Sequence, residues 1–240
     1  MSIKPEKRIT YLIRAVLAFA AVYFLLLFGA DVITSGFEQT ISSYGEILFL
    51  TILTLLLTFS FDYLENKHSV FIPHIISTTS VVFIFCAIYL GSAADFYNAF
   101  WWWDDMLHML SGTILGLVGF VLIYYLNSRF SMRLSPIFVA LFALTFAVFM
   151  GVIWEIFEFT MDAISGSNTQ RWAEPANGFL IGKDYQCWGL RDTMSDLIVD
   201  IFGGILASSY AFYLFKNENK RSLKMMRDTF GDSKKNHSAK

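Results

Sequence analysis

The chain has 240 residues, of which 55% are hydrophobic and 16% charged, with 25 Phe, a mean hydropathy of +0.52 and a formal net charge of −2. So much apolar surface with so few charges excludes a water-soluble globular domain. The expected surroundings are membrane lipids, and nucleic acid is not among the expected partners.

A bilayer core about 30 Å thick takes about 20 apolar residues per helix. Six such stretches run from Ile9 to Ala30, Glu46 to Tyr63, Val70 to Gly91, Asp104 to Leu126, Pro136 to Ala163 and Leu190 to Phe215. The expected fold is therefore all-α, a polytopic transmembrane bundle. The first stretch follows Lys4, Lys7 and Arg8, as a secretory signal would. It is nevertheless long enough to span, and Gly29-Ala30-Asp31-Val32 matches a small-x-small cleavage site poorly. Arg14 within it is expected to snorkel to the nearer interface. His68, Pro73 and His74 surround the start of the third stretch and read as interfacial. Cys86 within that stretch reads as a buried thiol, and Cys187 in a later loop as a free one.

Trp101, Trp102 and Trp103 precede the fourth stretch and read as an aromatic belt at the membrane interface. The connection from Ile164 to Gly189 is long, and Trp172, Pro175, Phe179, Tyr185 and Trp188 supply aromatic anchors for it. Residues 1–215 form one transmembrane domain. The basic tail, 216–240, is expected to be partly helical near Arg221 to Phe230 and disordered beyond.

Orientation follows from Lys and Arg, which are retained on the cytoplasmic side. With six spans, fifteen basic residues fall on the side of the termini, including Lys67, Arg129, Arg133 and the eight from Lys216 onward. Only Arg171, Lys183 and Arg191 fall on the other side. Both ends are thus expected in the cytoplasm, with the Ile164 to Gly189 loop outside.

Charged side chains inside a bilayer are costly and usually face a bundle interior or a water-filled cavity. Span four opens on Trp103-Asp104-Asp105-Met106-Leu107-His108. Span five closes on Trp154-Glu155-Ile156-Phe157-Glu158 and Asp162. Span six opens on Arg191-Asp192, followed by Asp196 and Asp200. In the six-span topology all three clusters lie at one depth, within about two turns of the outer interface at 1.5 Å per residue. Asp62 and Glu65, at the opposite ends, look isolated. Spacings of three and four put each cluster on one helical face. The same faces continue as small residues: Gly112, Gly116 and Gly119; Gly151; Gly203, Gly204 and Ser208. Small residues let helix backbones approach closely in a membrane, so these faces should pack together.

Seven or eight carboxylates cannot all stay ionised in a partly desolvated pocket. His108 and Arg191 offer too little positive charge to balance them, which leaves a divalent cation or protons. Carboxylates with one imidazole suit Mg, Mn, Fe or Zn. A polar network that sets helix register, or a path for protons or cations, would use the same residue types.

The motifs Trp103-Asp104-Asp105-Met106-Leu107-His108-Met109-Leu110-Ser111-Gly112, Trp154-Glu155-Ile156-Phe157-Glu158-Phe159 and Arg191-Asp192-Thr193-Met194-Ser195-Asp196, continuing through Asp200 to Gly203-Gly204, together resemble the YjdF-like family of bacterial inner-membrane proteins. The likeness covers roughly Trp101 to Ser208. More distantly the layout is similar to VanZ-like proteins, whose pattern often carries Gln and Asn where this chain has Glu158 and Asp200. The resemblance implies a multi-pass protein of the bacterial cytoplasmic membrane and names no reaction.

These residues lead to a membrane-embedded, metal-dependent enzyme acting on a lipid or lipid-linked envelope substrate near the outer leaflet. The expected metal ligands are Asp104 or Asp105, His108, Glu155, Asp196 and Asp200. Glu158 and Asp192 are expected to serve as base or outer partner. The alternatives are a cation- or proton-coupled transporter and a structural subunit. The absence of repeated halves with broken helices counts against the first of these.

Overall fold

The computed structural model describes residues 5–35, 44–68, 74–173 and 187–216. All regular structure among them is helical. Six segments are long and apolar enough to cross a membrane: Lys7–Thr34, Glu46–Leu64, Ile76–Ala93, Trp103–Asn127, Pro136–Ser165 and Trp188–Lys216. They coincide with the six apolar stretches of the sequence. The expected start of the third span at Val70, the loop anchors Pro175, Phe179 and Tyr185, and the tail beyond Lys216 lie outside the described residues. The chain divides into two compact units, one through Trp103 and one from Asp104.

In the first unit, α1 (Pro5–Ser35) is followed by α2 (Glu46–Leu57), α3 (Ser60–His68) and α4 (His74–Ile84), which continues as a π-helical stretch, Phe85–Ala93. A short α5 (Phe96–Ala99) precedes the second unit. Ile13, Leu17 and Val81 form the core here, packed by Leu55, Phe61, Val82, Phe85 and Tyr89.

The second span is a continuous apolar run in sequence, yet its helix is interrupted between Leu57 and Ser60. Thr51, Thr54 and Thr58 are fully buried, and their hydroxyls donate to the Ile47, Leu50 and Leu55 carbonyls. Such back-bonding competes with the helical ladder and bends helices. Arg14 holds the break. Its Nε donates to Thr58 Oγ1 at 3.2 Å, its Nη2 donates to the Thr58 carbonyl and pairs with Asp62 at 2.7 Å, and its guanidinium lies 4.0 Å from the Phe59 ring centre. The sequence expectation of an isolated Asp62 is corrected, since Arg14 is its partner. In an apolar medium a carbonyl freed by a break needs a donor, and Arg14 supplies it.

Trp103 also departs from the belt expectation. Trp101 and Trp102 are exposed, but Trp103 is 8% exposed and packs edge-on to Phe96 with ring centres 4.9 Å apart. Cys86 and Cys187 are free thiols.

The second unit is built from α6 (Trp103–Phe130), α7 (Pro136–Ser165) and α8 (Trp188–Lys216). Ser135 caps α7 by accepting from the Phe138 amide at 3.3 Å, with Pro136 in the first turn, where its missing N–H costs nothing. Gly166 ends α7 in the left-handed conformation, φ 70°. Phe120, Ile123, Val139, Ala143, Ala211 and Leu214 pack at one end of this unit.

Toward the acidic end the helices meet through the predicted small residues. A methyl group on Gly112 would strike the Asp200 carbonyl oxygen, with the Asp200 Cα and carbonyl carbon at 3.0 Å. Reciprocally, one on Gly203 would strike the Met109 carbonyl oxygen. Backbone therefore touches backbone between α6 and α8, a contact that any larger side chain would prevent. Thr113 Oγ1 adds a hydrogen bond to the Gly203 carbonyl at 3.3 Å.

Candidate functional site

The close approach of α6 to α8 sets Asp200 one helical layer from His108. Asp200 Oδ1 accepts from Ser111 Oγ at 2.9 Å, and Asp200 Oδ2 stands 3.4 Å from His108 Nδ1. The other imidazole nitrogen, Nε2, faces a second set of acids, Asp104 Oδ1 at 3.8 Å and Asp196 Oδ1 at 4.0 Å. Both distances are too long for a hydrogen bond. His108, Glu155, Asp196 and Asp200 are 6%, 4%, 2% and 2% exposed.

Two groups of three residues each offer ligand atoms lying within 4.8 Å of one another. One is His108, Glu155 and Asp196, all buried. The other is Asp104, Asp192 and Asp196, in which the first two are half-buried. Asp196 belongs to both.

Glu155 is the most telling member. Both of its carboxyl oxygens are buried without a well-formed hydrogen bond. Gln170 and Thr193 come close to it, but Gln170 Nε2 donates to Thr193 Oγ1 at 2.7 Å. Buried carboxylates are ordinarily paired, hydrogen-bonded or bound to a metal, because leaving one bare costs several kcal/mol. Asp192 Oδ2 is likewise buried without a partner.

The remaining sequence-predicted residues lie around this centre. Asp105 accepts from Ser195 Oγ at 3.1 Å, and Asp104, the other member of that pair, is the one in the ligand groups. Glu158 accepts from Trp154 Nε1 at 3.0 Å and is half-buried. Asp162 organises the turn after α7. Its Oδ1 accepts from Ser167 Oγ at 2.7 Å, the Thr169 amide at 2.8 Å and Thr169 Oγ1 at 2.7 Å, while Oδ2 accepts from the Gln170 amide at 2.9 Å.

That turn delivers residues that sequence reasoning missed. Arg171, at φ 51°, acts electrostatically on Asp104 and Asp192. Arg191, the cation expected from sequence, instead lies over the Trp188 ring at 4.9 Å. Ser111, Gln170 and Thr193 were missed as well. Ser111 could have been found, since it sits three residues after His108 on the acidic face. Arg171 carried no local signal, because its position depends on the path of the turn.

Oxygen donors with one imidazole suit a hard or borderline divalent ion. An imidazole whose rear nitrogen meets a carboxylate is the arrangement that commonly orients a histidine toward a metal.

The chain belongs to the family described as "Predicted membrane protein (DUF2238)", which it matches over residues 10–217. It is 34% identical over 121 residues to an "Uncharacterized protein" of Thermotoga maritima, an overlap of 50% of this chain and 53% of that relative. The chain thus spans about half the length of the curated relative it matches. No solved structure matches it.

Proposed function

As a member of a family of membrane proteins the chain works within a bilayer, and we propose that it is a metal-dependent enzyme acting on a lipid or lipid-linked envelope substrate. The observation that carries this reading is the buried Glu155 carboxylate, without a well-formed hydrogen bond, beside His108 and Asp196. A divalent ion held there supplies Lewis acidity toward a phosphoryl or carbonyl oxygen, or toward water. His108, Glu155 and Asp196 would hold it. We assign Asp200 to the imidazole rather than to the ion. Fixed by Ser111 Oγ, it keeps Nδ1 occupied and leaves Nε2 for the centre. Glu158, three residues from Glu155 and oriented by Trp154, is the proton acceptor.

The closed side of the centre is formed by the buried trio. The half-buried Asp104 and Asp192 mark the side from which substrate arrives. The balance of basic residues supports an outer-leaflet location in the bacterial cytoplasmic membrane, with both termini inside. The YjdF-like resemblance of the three acidic motifs belongs to the same reading.

The test compares the lipids of a deletion strain, a strain carrying His108→Ala and the parent. A lipid species that accumulates in both altered strains is the expected result. Unchanged profiles in both refute the lipid-enzyme assignment.

A further inference from the structure

We infer that the centre is dinuclear, with Asp196 as the shared carboxylate between one divalent ion at His108, Glu155 and Asp196 and a second at Asp104, Asp192 and Asp196. The inference rests on the proposed metal centre and extends it. Three observations lead there. First, the two groups share Asp196, and within each the ligand atoms lie within 4.8 Å of one another. A carboxylate has two oxygens, and bridging lets both bind ions side by side, as in two-metal phosphoryl-transfer and hydrolytic sites. Second, buried oxygens without a well-formed hydrogen bond occur in both groups: Glu155 Oε1 and Oε2 in one, Asp192 Oδ2 in the other. One ion among His108, Glu155 and Asp196 accounts only for the first of these. Asp196 itself is 2% exposed and stands 4.0 Å from His108 Nε2, too far for a hydrogen bond between them.

Third, the charge balance favours it over a single ion. Asp104, Glu155, Asp192, Asp196 and Asp200 face a single imidazole and the Arg171 guanidinium. A lone divalent ion leaves the acids in excess in a poorly solvated site, whereas two ions bring the site close to neutrality. The half-buried position of Asp104 and Asp192 further makes the second ion the more exposed, with room for water or a substrate oxygen beside the protein ligands.

The experiment loads the full chain, purified in lipid nanodiscs, with Mn2+ and measures bound metal per chain together with its electron paramagnetic resonance spectrum. The expected result is two ions per chain and a spin-coupled spectrum. Asp192→Asn, which keeps side-chain volume, should bind one ion and show the six-line signal of an isolated Mn2+. Asp196→Asn should weaken both sites at least tenfold. One ion per chain in the unsubstituted protein, with no coupling and no change in Asp192→Asn, overturns the dinuclear centre and leaves the mononuclear one standing. No bound ion at all overturns both. The stoichiometry and spectrum of the unsubstituted protein decide the matter even if a variant fails to fold.

Discussion

Replacing Gly151 with alanine would set a methyl group 2.6 Å from Asp200 Oδ2, 3.2 Å from its Cγ and 3.4 Å from its Cβ. Carbon–oxygen contacts this close are repulsive, so the carboxylate must retreat by about 0.7 Å or the α7–α8 spacing must widen. Either response disturbs the oxygen that stands 3.4 Å from His108 Nδ1. Overpacking of this kind costs about 1–3 kcal/mol of stability. Disturbing a residue that orients a metal-binding histidine typically costs about 10–100-fold in metal affinity. Gly151→Ala should therefore bind the same number of Mn2+ ions as the unsubstituted chain, about 10–100-fold more weakly, in a titration of nanodisc-embedded protein. Gly29→Ala is the control, since nothing lies within 4 Å of the added carbon, and its metal affinity should be unchanged. If Gly151→Ala keeps full affinity while remaining folded, Asp200 does not orient the imidazole and its assigned role is wrong.

Other substitutions test separate parts of the reasoning. Glu155→Gln should raise the melting midpoint of the metal-free protein, with a gain of about 1–3 kcal/mol, by removing a buried carboxylate that lacks a well-formed hydrogen bond, while abolishing stabilisation by Mn2+. A lower midpoint in chelator would show that the carboxylate is already well satisfied. Gly112→Ala presses on the Asp200 backbone rather than on a side chain, so it should reduce folded yield in size-exclusion chromatography more than Gly151→Ala does. Equal yields would argue against the α6–α8 contact. Arg14→Gln should cost about 1–3 kcal/mol by stripping donors from Thr58 and Asp62, with no change in Mn2+ binding. Asp62→Asn should cost less than about 1 kcal/mol, because the Asp62 side chain is 44% exposed. A reversed order in thermal unfolding would place the main role of Arg14 elsewhere.

Much of the second unit was legible because its signals are local. Hydropathy over about 20 residues marks a span, and a spacing of three or four marks a face. His108, Glu155, Asp196 and Asp200 were found in this way, as were the glycines that draw their helices together. The interruption in the second span left no such mark. Leu55-Leu56-Leu57-Thr58-Phe59 reads as an uninterrupted apolar helix, and only the reach of Arg14 from another helix explains how the Thr58 carbonyl is satisfied.

The distinctions within the acidic set were decided in three dimensions. Sequence placed Asp104, Asp105, Glu155, Glu158, Asp192, Asp196 and Asp200 at one depth but could not rank them. Tertiary structure turned Asp105 to Ser195 and Glu158 to Trp154, left Glu155 without a well-formed hydrogen bond, and made Asp196 common to two groups. It also put Arg171 where Arg191 had been expected. The physical reason is range. Hydropathy and helical period determine which side chains enter the bundle and on which face, whereas distances between side chains on different helices depend on backbone approach and on the course of the turns between them. Approaches such as that of Gly112 to Asp200 arise only when the helices have packed.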